Sequence, residues 1–136
     1  MNDRSIDETD EVKMIGYVTL GTNDIDRAAE FYDALLREIG ASRMMESDTF
    51  VAWAVAPDRP ALSVTKPFDG NVASVGNGVM VALAVNNRDK VDALYNKAIE
   101  LGGSDEGAPG PRGDSGFYAA YFRDLDGNKL NAFCMG

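Results

Sequence analysis

The chain of 136 residues has the length of one compact domain, and its formal charge of −9 comes from 13 basic and 22 acidic side chains. This charge argues against a nucleic-acid or anionic-membrane surface, because both require a basic footprint. Histidine is absent and cysteine occurs once, which excludes Ser-His-Asp and Cys-His catalytic groups, histidine-containing zinc sites and all-cysteine zinc sites.

The start of the sequence carries no sign of export or membrane insertion. It reads MNDRSIDETDEVK, with no basic stretch before an apolar core, so we expect no secretory signal. The sequence contains no run of about 18 apolar residues, so we expect no membrane-spanning helix. A single cysteine, Cys134, cannot form an internal disulfide, so we expect it to be a buried thiol in a cytoplasmic protein. We expect residues 1–13 to be a flexible acidic tail and residues 14–136 to be one domain.

The first half of the domain predicts a strand, a helix and three further strands. The opening strand covers residues 14–20, and Asn23 or Asp24 can cap the helix that follows. Gly40 ends this helix, and the later strands cover residues 42–46, 49–56 and 61–66. Apolar residues at helical spacing predict the buried face of the helix: Ala28, Phe31, Tyr32, Leu35 and Ile39.

After a loop at residues 68–77, the second half restarts the same pattern. A strand at residues 78–85 precedes a helix that Asn86 or Asn87 can cap. A Gly- and Pro-rich loop is predicted at residues 107–116, followed by strands at 117–123 and 129–134 around an Asp-Gly turn. The predicted buried face of the second helix consists of Val91, Leu94, Tyr95, Ala98 and Ile99.

The two halves align with each other as an internal repeat. A shift of 63 positions places Tyr32 on Tyr95, and a shift of 68 places Trp53 on Tyr121. The pattern predicts an α+β protein with two strand–helix–strand–strand–strand repeats, at about residues 14–67 and 77–135. Two copies of this length indicate half-domains related by a pseudo-twofold axis, because a solenoid stacks many shorter units.

Strand alternation assigns the side chains to two faces. Val18, Leu20 and Leu62 are predicted to face the helices, as are Val81, Leu83 and Leu130. The opposite face holds Tyr17, Ser63, Met80 and Asn131, a mixture of polar and soft groups that is more typical of a cavity than of a dry core.

Two segments carry a family resemblance. The opening YVTLGTNDIDRAAEFYDALL and the final hairpin GFYAAYFRDLDGNKL resemble the vicinal-oxygen-chelate superfamily, which contains glyoxalase I, extradiol dioxygenases and the bleomycin- and fosfomycin-resistance proteins. The resemblance spans residues 14 to about 135 and suggests a glyoxalase-like member. It implies two βαβββ repeats that form a curved mixed sheet around a cavity, with the helices on the outer face. Many relatives are homodimers, so we expect a homodimer here.

The resemblance also implies four positions that hold a divalent metal ion in metal-dependent relatives. Here they fall on Tyr17, Ser63, Met80 and Asn131. None of these is a good ligand for a hard metal, since three are neutral oxygen or amide groups and the fourth is a soft thioether. We therefore expect no metal and no cofactor.

The predicted ligand-binding residues are these four together with Trp53, Tyr121 and Arg112. The four either line a cavity or fill a smaller interior, and the two aromatic residues are either ligand walls or core. Arg112, in a glycine-rich loop, is a candidate anchor for an anionic ligand, as are Lys66 and Arg123. The sequence favours metal-independent binding of a small organic molecule between the repeats. The alternatives are a lyase or isomerase of the lactoylglutathione lyase type, another metal-free enzyme of this fold, or an interaction subunit without a ligand.

Overall fold

The structure, a computed structural model, describes residues 11–136, so most of the expected acidic tail lies outside the described residues. Two helices and eight strands follow one another along the described chain. Their bounds are β1 (Tyr17–Gly21), α1 (Ile25–Arg37), β2 (Ser42–Glu46), β3 (Phe50–Ala54), β4 (Ala61–Thr65), β5 (Val81–Ala84), α2 (Arg88–Glu100), β6 (Ser104–Pro111), β7 (Phe117–Arg123) and β8 (Lys129–Met135).

The strands form two four-stranded mixed sheets with the same topology. The first sheet has the order β1-β4-β3-β2 and the second has the order β5-β8-β7-β6. Strand β1 runs parallel to β4, and β5 runs parallel to β8, while the other neighbouring strands are antiparallel. The predicted α+β fold with two βαβββ repeats is confirmed. The strands remain in two sheets that do not close on each other, whereas the resemblance implied one curved sheet.

Both helices begin at the predicted type of cap. The side chain of Asp24 accepts a hydrogen bond from the backbone N–H of Arg27, and that of Asn87 accepts one from Lys90. Helix α1 buries the expected apolar stripe, with Tyr32 and Leu35 fully inaccessible. Helix α2 buries Val91, Leu94 and Ala98 in the same way. None of the helices in the described part of the chain is long and apolar enough to cross a membrane.

The helices and the sheets share one core. Side chains from α1 and the first sheet contact those from α2 and the second sheet in a single cluster that includes Trp53, Phe122 and Leu130. Cys134 lies in this cluster and is 3% exposed, so the predicted buried thiol is confirmed. The two repeats therefore fold around common contacts rather than as separate units.

The prediction of a loop at residues 107–116 is wrong in its first half, because β6 runs through Ser104–Pro111. Glycine and proline are rare in strands, so the sequence pattern hid this one. The pairing of β6 with β7 is irregular, with register shifts on both sides of Gly107. A Cβ atom at Gly107 would lie 3.2 Å from Cδ1 of Tyr121, so this glycine lets the Tyr121 ring pack against the backbone of β6.

The turn between β7 and β8 fastens the second repeat to the first. Oδ2 of Asp126 accepts a 2.6 Å hydrogen bond from the hydroxyl of Thr22, and its Oδ1 accepts one from the backbone N–H of Asn23. The side-chain amide of Asn128 donates to the carbonyl oxygen of Gly21. These bonds fix the end of β1 and the start of α1 against the β7–β8 turn.

Candidate functional site

Each sheet has one face that the helices cover and one face that they leave open. Val18, Leu20 and Leu62 lie on the covered face of the first sheet, as alternation predicted. We call the opposite side the open face. The first open face carries Tyr17, Thr19, Phe50, Ala52 and Ser63. The second open face carries Ala82, Phe117, Tyr121, Lys129, Asn131 and Phe133, as the strand register shows.

A cavity of about 380 Å³ lies on the first open face. Its wall is mostly apolar and aromatic, and the Tyr17 and Phe50 rings meet edge to face with centroids 6.4 Å apart. Tyr17, Met45 and Met44 are each about half-exposed or more, so the cavity is open to solvent. The turn between β3 and β4 adds polar groups to the rim, Asp58 and Arg59 among them.

Ser63 lies beneath this face rather than at the cavity wall. Its side chain is fully buried, and its hydroxyl donates a 2.9 Å hydrogen bond to the carbonyl oxygen of Val18. It also shares a 2.8 Å hydrogen bond with the hydroxyl of Thr19. These bonds use the hydroxyl's donor and one of its acceptor positions. The Ser63 side chain therefore links β4 to β1.

The second open face holds an unpaired buried polar atom. Asn131 is 2% exposed, and its Oδ1 is buried without a hydrogen-bond partner among the described residues. It pairs in register with Ala82 on one side and Tyr121 on the other. An unpaired buried acceptor costs about 1–3 kcal/mol, so a hydrogen bond from a bound group would be favourable at this atom.

Two cations share one ring on the same face. Cζ of Arg112 lies 5.5 Å from the centroid of Tyr121, and Nζ of Lys129 lies 5.6 Å from it. The guanidinium of Arg112 also donates to the carbonyl oxygens of Gly110 and Ala108, at 2.7 Å and 2.8 Å. These bonds hold Arg112 back over β6, so the loop residue becomes part of the sheet face.

Trp53, for which the sequence allowed either a ligand wall or core, lies in the core. It is 1% exposed on the covered face of the first sheet, and its indole N–H donates to Oδ1 of Asp33 at 2.8 Å. Arg43 donates to both oxygens of the same carboxylate. The Arg43 guanidinium, helped by Trp53, holds the pKa of Asp33 below its usual value. Trp53 therefore faces away from both open faces.

The structure brings some of the predicted site residues together and separates others. Tyr121, Asn131 and Arg112 lie on the second open face, whereas Tyr17 and Ser63 lie on the first. Met80 precedes β5 and is 40% exposed. Lys129 was not among the predicted site residues, although its spacing of two residues from Asn131 places both side chains on one face of a strand. Of the other candidate anchors, Arg123 is engaged by Glu106 and Lys66 is exposed.

The residues at the four expected metal positions do not fit a hard divalent metal. The Tyr17 phenol is largely exposed, the Ser63 hydroxyl is already engaged, and Met80 offers only a thioether. Asn131 contributes a neutral amide. Within residues 11–136, no group of three or more acidic, cysteine or histidine side chains is placed to hold a metal ion.

Two βαβββ repeats, each with a helix on one side of its sheet and an open face on the other, define a two-repeat α+β class of protein. Residues 14–132 match the model of the Glyoxalase/Bleomycin resistance protein/Dioxygenase superfamily, and the chain belongs to that family. The recognition made from the two sequence segments is thus confirmed. No curated protein matches the sequence significantly.

Solved structures share the fold across nearly the whole chain. A glyoxalase/bleomycin resistance protein from Albidiferax ferrireducens T118 is 32% identical, with a TM-score of 0.83, over 91% of this chain and 100% of its own. A lactoylglutathione lyase from Agrobacterium tumefaciens is 20% identical, with a TM-score of 0.65, over 90% of this chain and 94% of its own. A fosfomycin resistance protein from Mesorhizobium loti is 15% identical, with a TM-score of 0.65, over 91% and 93%. At these lower identities the likeness shows the fold alone.

Proposed function

We propose that this protein binds a small organic molecule on its open faces without a divalent metal. The observation that carries this proposal is the cavity of about 380 Å³ on the first open face. Its volume lies in the range of small-molecule pockets, and its lining has the apolar character with a few polar groups that such pockets share. Methionines such as Met45 provide walls that adapt to a ligand.

A second copy of the chain is the proposed partner that covers the open faces. Several large apolar side chains around the first open face are about half-exposed or more, among them Tyr17, Met44 and Met45. Met80 and Val79, before β5, are exposed as well. Exposed apolar groups clustered in this way are typical of protein interfaces. Their burial would turn the open cavity into a closed one.

The oligomeric state can be measured directly. Sedimentation velocity of the full chain should give a dimer. Met45→Glu, on the rim of the cavity, should shift it towards monomer without unfolding because the side chain is already 59% exposed. Val72→Glu places the same charge on a loop residue that is 82% exposed and should leave the dimer intact. A monomeric wild-type protein at micromolar concentration would contradict the dimer and leave the cavity to be tested alone.

A lyase of the lactoylglutathione lyase type is the second candidate. Asp58 is the carboxylate at the cavity rim and could act as a base beside a carbonyl. Its side chain is 77% exposed, and its Oδ1 lies 3.8 Å from Nε of Arg59, so the carboxylate is hydrated and beside a cation rather than enclosed in the cavity. For this reason we place binding before catalysis.

A measurement of metal content distinguishes metal-independent binding from the lyase activity. The purified full chain is incubated with Mn, Fe, Co, Ni and Zn, desalted and assayed by elemental mass spectrometry. We expect no stoichiometric metal and no turnover of the methylglyoxal–glutathione hemithioacetal. About one metal per chain, with turnover that a chelator abolishes, would replace the binding proposal with the lyase.

A further inference from the structure

The second open face concentrates positive charge in a strongly acidic chain. Most arginines in the described residues meet carboxylates: Arg43 contacts Asp33 and Glu46, and Arg123 contacts Glu106. Arg112 instead donates to backbone carbonyls, and neither it nor Lys129 makes an ion pair among residues 11–136. Both cations lie near the Tyr121 ring, Cζ of Arg112 at 5.5 Å and Nζ of Lys129 at 5.6 Å from its centroid, and the ring attracts each of them through a cation–π interaction.

An unpaired hydrogen-bond acceptor, Oδ1 of Asn131, lies on the same face as these cations. Asn131 is adjacent to Tyr121 across β7 and β8 and lies two residues from Lys129 on the same face. Its buried Oδ1 has no partner, so it can accept a hydrogen bond from a group that enters from the open face.

The same face continues into an aromatic platform. The rings of Phe117 and Phe133 stack with centroids 5.4 Å apart and planes 28° apart. Phe133 is two residues from Asn131 on β8, so the platform begins where the polar groups end. A complementary ligand would have an anionic end for the cations, a hydrogen-bond donor next to it for Asn131, and a flat apolar body for the two phenylalanine rings.

We propose that the second open face binds a carboxylate that carries a hydroxyl or amino group on the adjacent carbon. Arg112 and Lys129 bind the carboxylate, Oδ1 of Asn131 accepts the hydrogen bond from the adjacent group, and Phe117 and Phe133 contact an apolar substituent. This inference rests on the proposed small-molecule binding function and names its ligand class. Charge-assisted hydrogen bonds supply the affinity, and the Asn131 acceptor supplies the discrimination.

Three probes that differ by one group each test the assignment. Mandelate has the carboxylate, the hydroxyl and a phenyl ring; phenylacetate lacks the hydroxyl; mandelamide lacks the charge. Each is titrated into the ¹⁵N-labelled full chain, and dissociation constants come from backbone amide shifts. We expect mandelate to shift amides of β7 and β8 and to bind about tenfold more tightly than either of the other two.

Variants at Lys129 and Asn131 assign the contacts, and a variant at an exposed lysine elsewhere is the control. Lys129→Met should weaken mandelate and phenylacetate alike, because both carry the charge. Asn131→Leu should remove the difference between mandelate and phenylacetate, because it removes the acceptor and leaves both cations in place. Asn131→Ala provides the same test should the leucine variant not fold. Lys90→Met removes an exposed cation on α2, away from both open faces, and should leave all three dissociation constants unchanged.

The outcomes separate this inference from the broader function. Equal affinities for mandelate and mandelamide, shifts confined to other strands, or an unchanged ratio in Asn131→Leu would overturn the carboxylate assignment. Neutral aromatic fragments such as indole that bind at the first open face, with no carboxylate binding, would contradict this inference and leave the small-molecule function standing. An absence of binding by every probe would count against both.

Discussion

The hydroxyl of Tyr32 on α1 donates a 2.6 Å hydrogen bond to Oδ2 of Asp124, 92 residues further along the chain. Both side chains are buried, at 0% and 5% exposure. Oδ1 of Asp124 also accepts from the backbone N–H groups of Asp126 and Asn128, which shapes the β7–β8 turn. One carboxylate therefore forms the turn of the second repeat and ties it to the helix of the first.

Replacement of Tyr32 by phenylalanine should lower the free energy of unfolding by about 1–3 kcal/mol, because a buried carboxylate loses a donor. Chemical denaturation measures this change. The matched control is Tyr95→Phe at the equivalent position of the second repeat, where the hydroxyl donates to Asp105 at an exposed site. We expect a change of about 0.5 kcal/mol or less there. Equal losses of unfolding free energy in the two variants would show that the buried Tyr32 hydrogen bond stabilises the fold no more than the exposed one.

Alkaline pH should lower the free energy of unfolding through Tyr32. Burial, followed by the charge of Asp124, raises the pKa of Tyr32 well above its usual value. The folded chain thus keeps a proton that the unfolded chain releases above about pH 10. The stabilisation is complete below that pH and is lost as the pH rises towards the folded-state pKa. Wild type should lose stability more steeply than Tyr32→Phe between about pH 9 and 11, and parallel curves would contradict this expectation.

Asp126 and Asp58 occupy equivalent turns of the two repeats but have different surroundings. Asp126 is 6% exposed at its side chain and binds Thr22 and Asn23, whereas Asp58 is 77% exposed. Asp126→Ala should cost about 1–3 kcal/mol of unfolding free energy, because it leaves those donors unpaired. Asp58→Ala should change it by less than about 0.5 kcal/mol. Denaturation curves that do not separate the two variants would mean that the turn does not hold the repeats together.

The sequence predicted the architecture well because each element carried its own periodic signal. The apolar stripe of α1 placed Tyr32 in the core, and alternation placed Leu20 and Leu62 on the covered face. The repeat itself came from aligned pairs such as Tyr32 and Tyr95. Strand β6 escaped because its glycines and prolines oppose strand propensity, and its pairing depends on the packing of Tyr121 against Gly107.

The site was predicted less well because its contacts join distant elements. Alternation put Asn131 on the correct face, but only the folded chain shows that its Oδ1 is orphaned. Trp53 pairs in register with Leu62 on the covered face and donates its indole N–H to Asp33 on α1, a contact that the sequence does not specify. Arg112 was expected in a glycine-rich loop, yet carbonyl groups of β6 hold it near the Tyr121 ring.

Asp33 should make the first repeat sensitive to acid. Its folded-state pKa lies below the usual value, chiefly because Arg43 donates to both carboxylate oxygens. The resulting stabilisation is present above the unfolded pKa of about 4 and is lost as the pH falls through the folded-state pKa. Asp33→Asn should cost about 1–2 kcal/mol at pH 7 and flatten the acid limb of the stability curve. Asp48→Asn, at an exposed carboxylate, should change neither, and an acid limb that persists in Asp33→Asn would assign acid sensitivity elsewhere.

Asn131 and Asn128, three residues apart, should respond oppositely to the same substitution. The Asn128 amide donates to Gly21 and Asp124, so Asn128→Leu should cost about 1–3 kcal/mol of unfolding free energy. Oδ1 of Asn131 has no partner, so Asn131→Leu removes a desolvation cost and should stabilise the unliganded chain by about 1 kcal/mol. Both changes are measured by denaturant unfolding of the purified protein. A loss in Asn131→Leu as large as that in Asn128→Leu would mean that Asn131 supports the fold and is not kept for a ligand.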